Sequence, residues 1–438
     1  MVPSSAAARF LLVLSVLVAL AAAVLLGRLA VFMADDARPG FSAFPSSGWE
    51  VRHSCASAYF VAAGAAREGG SVYRDELYTA PDDDGRGARK PLMLGRFGVD
   101  VYEYPPPFLL LPGALRQVAP EFPAFRLLWF VLNGIVVAFA MVLVARVLPS
   151  PAATRALLLA PLVWISLPTL SGLQKGNVQL MIVALAMLAM LLFERRRFAA
   201  GGALLAFATA SKLFPGLLLV YLIARRQWRA VAWTATMGAL LVVVSVAVVG
   251  ARQYLAFADH LPGLLGGEAF PAFRNPSAMA INFSIPGLVF KLKVLGLGAL
   301  SFGASKLVGW LYTLVVLAVV VMASRRSWAD GDKPALWLAI LILGTLRSPF
   351  LPQAYAAFPP LWLLTLLAAR QPPTVKTLLL TLTAWLSLNV YWPLDWPLDP
   401  RVLALVTLVP QAATVAVAAL ALRPRTPRHE AGADPAQS

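Results

Sequence analysis

Lys212 stands in an apolar run, Phe198 to Ala224, that carries Arg195, Arg196 and Arg197 on one flank and Arg225, Arg226 and Arg229 on the other. Basic clusters beside apolar runs stay on the cytoplasmic side of a membrane, so both ends belong there and the chain between must enter and return. Lys212 then sits deep or on the far side. Each arm has about a dozen residues, roughly 20 Å of helix at about 1.5 Å per residue, shorter than an ordinary span. A cation held there needs an anion, and a lipid phosphate head group is the natural one. Further polar groups mark the outer ends of apolar helices: Gly176-Asn177-Val178-Gln179, Arg274-Asn275-Pro276-Ser277, and Arg347-Ser348-Pro349 ahead of Tyr355.

The elements that must hold these groups are membrane helices. The 438 residues are 59% hydrophobic and 13% charged, with a mean hydropathy of +0.74, far from the make-up of a soluble domain. The net charge of +16 comes from short clusters beside apolar runs, so topology explains it and no nucleic-acid partner is expected. A single cysteine, Cys55, excludes an internal disulfide and a cysteine-rich metal site. The run Phe10 to Met33 is long enough for an uncleaved signal anchor.

Apolar spans fall at about 10–33, 123–147, 154–171, 177–193, 198–211, 213–224, 229–250, 303–324, 334–347, 353–369, 374–391 and 401–422. The expected fold is an all-α integral membrane bundle of about twelve transmembrane helices over 1–422, both termini cytoplasmic, in the cell (inner or plasma) membrane. A polar tail, 423–438, should be disordered and cytoplasmic. Pro105 to Val118 is apolar, short and proline-rich, and is read as a helix lying at the outer surface or dipping part-way in. Two extracytoplasmic loops, 34–122 and 251–302, are too long to be mere connectors. The first contains Asp35, Asp36, Glu50, His53, the Asp82-Asp83-Asp84 run, Asp100 and Glu103, and holds more than half of the chain's 21 acidic residues.

No GxxxxGK[ST] loop, GxGxxG after a strand, HExxH or CxxC is present, so ATP-driven, dinucleotide and zinc-motif mechanisms lack a basis. What remains does resemble a family. Tyr104-Pro105-Pro106-Pro107, then Gly176-Asn177-Val178-Gln179, then Gly201-Gly202 to Lys212-Leu213-Phe214-Pro215 ending in Arg225-Arg226-Gln227-Trp228-Arg229, is similar to the pattern of glycosyltransferase family 87. That family belongs to the GT-C class of polyprenyl-phosphate-sugar-dependent enzymes and includes mycobacterial alpha-1,2-mannosyltransferases. Asn275-Pro276-Ser277 and Ser348-Pro349 with Tyr355 are similar to its later signatures, so the likeness runs from about Tyr59 to Leu364.

The resemblance implies an inverting transfer of a hexose, mannose being the family's example, from a polyprenyl-phosphate donor to a lipid or glycan acceptor on the outer face. A first-loop carboxylate would take the acceptor proton. Lys212 would stabilise the leaving phosphate, with Arg274 and Arg347 sharing the task. Asn177 and Gln179 would offer amides to the substrate, and Tyr59, Tyr104, Asn275 and Tyr355 would contact it. No cofactor is implied, and a divalent metal is left open. The family's D-F-x-x-Y-Y-x-A-A is written here Cys55-Ala56-Ser57-Ala58-Tyr59-Phe60-Val61-Ala62-Ala63, so a cysteine stands where the base is expected. His53 and Glu50 are the level candidates to replace it, followed by Asp35 and Asp36.

Each residue also has a plainer reading. Lys212 would snorkel to an interface; Asn177 and Gln179 would cap or bridge helices; Tyr104 and the prolines would only angle a surface helix; Cys55 would be a small buried residue. The competing function is a transporter or flippase, against which stand the long first loop and the lack of an internal repeat.

Overall fold

The computed structural model describes residues 6–81, 89–268, 270–298 and 301–423. Asp82, Asp83 and Asp84 and the tail from residue 424 lie outside these. The chain is mostly helical, and among the described residues it departs from the all-α expectation by five short strands in the first long loop.

The twelve apolar stretches all contain helix, but their lengths differ. Arg9–Ala34, Phe122–Ala145, Trp228–Val249, Phe302–Ser324 and Pro400–Ala421 are each long and apolar enough to cross a membrane. Ser150–Trp164 and Leu167–Lys175 qualify together as a pair bent by 66°. Among the described residues, length and composition therefore give five candidate crossings, or six with the bent pair. Gln179–Glu194, Lys333–Thr345 and Phe358–Ala369 are shorter and buried almost all round, the pattern of helices that form a core. By contrast, Leu240, Val243 and Val248 on one long helix, and Leu307, Leu311 and Leu314 on another, are exposed, as a surface facing lipid requires.

The two arms around Lys212 both touch Trp228–Val249 but otherwise have different neighbours. Phe198–Ser211 packs on Gln179–Glu194 and Trp228–Val249, whereas Gly216–Ala224 packs on Phe302–Ser324 and Lys333–Thr345. Gly202 allows the first contact: a Cβ there would stand 2.7 Å from the Trp233 carbonyl carbon. The two basic flanks close alike. Arg196 and Arg226 take left-handed φ of 58° and 56°, and the next amides, of Arg197 and Gln227, bond back to Leu192 O at 2.8 Å and Leu222 O at 2.9 Å.

The strands are β1 (His53–Ser54), β2 (Thr79–Pro81), β3 (Arg89–Pro91), β4 (Met93–Leu94) and β5 (Phe97–Val99). β2 and β3 form a hairpin; β5 runs parallel to β1 and antiparallel to β4. The β1–β5 register pairs His53 with Gly98 and Ser54 with Val99, so Cys55 and Asp100 leave the sheet side by side. Gln174 ties this loop to the bundle, accepting from Ala43 N and donating to Glu50 O, each at 2.7 Å. After β5, the prolines open a 3-10 turn, Pro106–Leu109, that leads into the helix Leu110–Val118.

Candidate active site

A cavity of about 850 Å³ lies where the first loop meets the helix ends, lined by residues from both long loops and from the turn at Lys212. Lys212 Nζ stands 5.4 Å from the centroid of the Tyr104 ring and has no ion-pair partner among the described residues. Arg347 also lines the cavity; its Nε donates to Thr313 Oγ1 at 2.6 Å, which aims the guanidinium without neutralising it. Arg274 is exposed and absent from the lining, so it does not join these two cations. Its neighbour Asn275 does line the cavity, but its side chain caps Pro276–Ala280, accepting from Ser277 N at 2.9 Å.

The candidate bases separate clearly. Glu50 is buried and held by Lys175 Nζ at 2.7 Å, with Ser171 Oγ and Tyr391 OH each donating to it at 2.8 Å. Both oxygens of this carboxylate are therefore already engaged by donors. Asp35 pairs with Arg38 at 2.9 Å, and the backbone carbonyl of Asp36 accepts from Arg96; neither aspartate lines the cavity. His53 does line it, stacked on Trp49 with ring centroids 4.6 Å apart. Burial holds its imidazole below the ordinary value and so favours the neutral ring.

Cys55 is buried, 3.1 Å from Tyr355 OH and 3.5 Å from the Asn177 amide that donates to it. Burial, reinforced by the charge of Asp100, pushes its thiol up to about 12, which leaves it a poor nucleophile. The carboxylate next to it is Asp100, whose Oδ2 lies 3.8 Å from His53 Nε2 and whose Oδ1 accepts from Val101 N at 3.1 Å. Asp100, directly after β5, thus brings a carboxylate beside Cys55. Glu103 also lines the cavity; burial and nearby Asp100 push its carboxyl up to about 8 against the pull of Lys212.

The amide motif works partly as scaffold. Asn177 Oδ1 accepts from Gln179 N at 2.9 Å, and Gln179 Nε2 donates to Thr345 Oγ1 at 3.2 Å. Tyr59 OH lies 2.9 Å from Tyr104 OH and accepts from Val178 N at 3.3 Å, binding the motif to the first loop. Sequence reasoning missed Asp100, Glu103, Lys175 and Tyr391 as members of the site. Three of them adjoin motifs that were seen, Asp100 and Glu103 just ahead of Tyr104-Pro105 and Lys175 just ahead of Gly176; that adjacency was the available signal.

His53, Glu50, Tyr59, Tyr104, Asn177, Gln179, Lys212, Asn275, Arg347 and Tyr355 thus share one cavity, and Asp35, Asp36 and Arg274 do not. No curated protein and no solved structure matches the chain. A family model does, across residues 102–352, more than half of the length and the region that contributes Glu103, Tyr104, the amide motif, Lys212 and Arg347. On that match the chain belongs to glycosyltransferase family 87.

Proposed function

We propose that this membrane glycosyltransferase moves a hexose, mannose first among the candidates, from a polyprenyl-phosphate donor to a lipid or glycan acceptor. The chain crosses the membrane twelve times with both termini in the cytoplasm, and the cavity opens on the extracytoplasmic side. The observation that carries this reading is the joint presence, in one cavity, of two cations that form no ion pair among the described residues, Lys212 and Arg347, and of two acids, Asp100 and Glu103. Anion recognition and proton removal are the two demands of this reaction.

In the reaction, Asp100 accepts the proton of the acceptor hydroxyl as its oxygen forms a bond to the anomeric carbon. The bond from that carbon to the phosphate oxygen breaks on the opposite face, inverting the configuration. The lipid phosphate leaves with added negative charge, which Lys212 and Arg347 stabilise in a site of low dielectric. Asn177, Gln179 and Asn275 contact the sugar, while Tyr59 and Tyr104 hold the loop that carries Asp100. Neutral His53 beside Asp100 and Tyr355 against Cys55 shape the acceptor end.

The test is incubation of the purified protein with a polyprenyl-phosphate-linked hexose and candidate acceptors. Release of lipid phosphate in step with a new, inverted glycoside is expected. Movement of the intact donor across sealed vesicles without bond cleavage would overturn the reading in favour of a flippase.

A further inference from the structure

His53 Nε2, Cys55 Sγ and one Asp100 carboxylate oxygen all lie within 4.8 Å of one another, with nitrogen to oxygen at 3.8 Å and nitrogen to sulfur at 4.0 Å. The order of these contacts matters. A Cys-His-Asp relay would put the thiol and the carboxylate on different imidazole nitrogens, since one proton must enter as another is held. Here both approach the same nitrogen. Three electron-pair donors converging on one point is the arrangement of ligands around a single ion.

We infer that His53, Cys55 and Asp100 form a binding site for one divalent cation of the zinc class. Donors at about 2.0–2.3 Å from a tetrahedral zinc stand about 3.3–3.6 Å from one another. The two nitrogen spacings, 3.8 and 4.0 Å, therefore need to contract by about half an ångström, and the sulfur–oxygen spacing, within 4.8 Å, by up to about one ångström. An imidazole, a thiol and a carboxylate together select zinc over the hard ions, which take oxygen donors only. The site has the outer support such centres use: Tyr355 OH is 3.1 Å from the sulfur and 3.4 Å from His53 Nε2, and Asn177 donates to the sulfur. All three residues line the cavity.

The site stands on these side chains alone; its consequence for turnover rests on the proposed role of Asp100. The Asp100 oxygen nearest His53 cannot accept a proton while it binds the metal, so occupancy by zinc inhibits sugar transfer.

The experiment uses the full chain in detergent and cobalt(II) as the probe. Cys55 is the chain's only cysteine, so any thiolate-to-cobalt charge-transfer band reports this site and no other. A band that saturates at one cobalt per chain and is displaced by zinc is expected. Affinity for cobalt should fall by more than about tenfold in His53→Ala and in Asp100→Ala. No band in the wild-type protein, or one equally strong in both variants, overturns the site. In a transfer assay, added zinc should lower the rate, and Cys55→Ser should raise the half-inhibiting concentration at least tenfold relative to its own zinc-free rate. Stoichiometric zinc binding with an unchanged or higher rate overturns Asp100 as the base and leaves the metal site standing.

Discussion

Glu50 Oε1 lies 2.7 Å from Lys175 Nζ, with both side chains buried and Tyr391 OH donating to the same carboxylate. The pair joins the first loop to the helix Leu167–Lys175. Removing one member strands a buried charge, at a cost of about 3–5 kcal/mol. Glu50→Ala and Lys175→Met should each lower the unfolding midpoint sharply, and the double variant should recover part of the loss. Thermal unfolding in detergent measures this; additive losses would show that the two charges do not depend on each other.

Lys212→Ala should reduce turnover by about 10²–10³-fold while the protein still folds, because in the proposed reaction the leaving phosphate loses one of its two cations. The assay is release of lipid phosphate at saturating donor. A variant with undiminished turnover would remove Lys212 from the phosphate site.

Asp100→Asn keeps the shape of the side chain and abolishes its capacity to take a proton. Its turnover should fall by about 10²–10⁴-fold with donor binding retained. Full turnover in this variant together with a collapse in Glu103→Gln would move the base to Glu103.

Glu103 gives the folded protein a pH dependence of defined sign. Its carboxyl titrates near 4.5 when unfolded and near 8 in the folded chain, because burial and Asp100 outweigh Lys212. The folded state binds the extra proton between these values. The associated stability is complete below pH 4.5 and is lost as pH rises through about 8. Glu103→Gln should flatten that decline in unfolding midpoint, and parallel curves for the two proteins would contradict it.

Gly202→Val should destabilise the bundle by about 1–3 kcal/mol, since the new side chain meets the Trp233 backbone, which cannot swing aside. Comparison of unfolding midpoints with Gly238→Val, whose Cβ meets only Ala206 at 3.9 Å, isolates the contact.

Much of this protein was legible before folding was considered. Apolar runs and the basic flanks marked the helices and the turn at Lys212, because those signals are local and set by water and lipid. The motifs around Tyr104, Asn177, Lys212 and Arg347 carried the family. What tertiary structure alone decided is which partners each acid has. Glu50 and Asp100 look equivalent in sequence, yet one is bound by Lys175, 125 positions away in the chain, and the other emerges beside Cys55 through the β1–β5 register. Arg274 and Arg347 likewise read alike, and only packing exposes the first and turns the second into the cavity. Ion pairing and strand register are long-range relations, so adjacency to a motif could point to Asp100 but could not show which partners each acid keeps; the turn at Lys212 could be found by its own charge and length, but not the company it keeps.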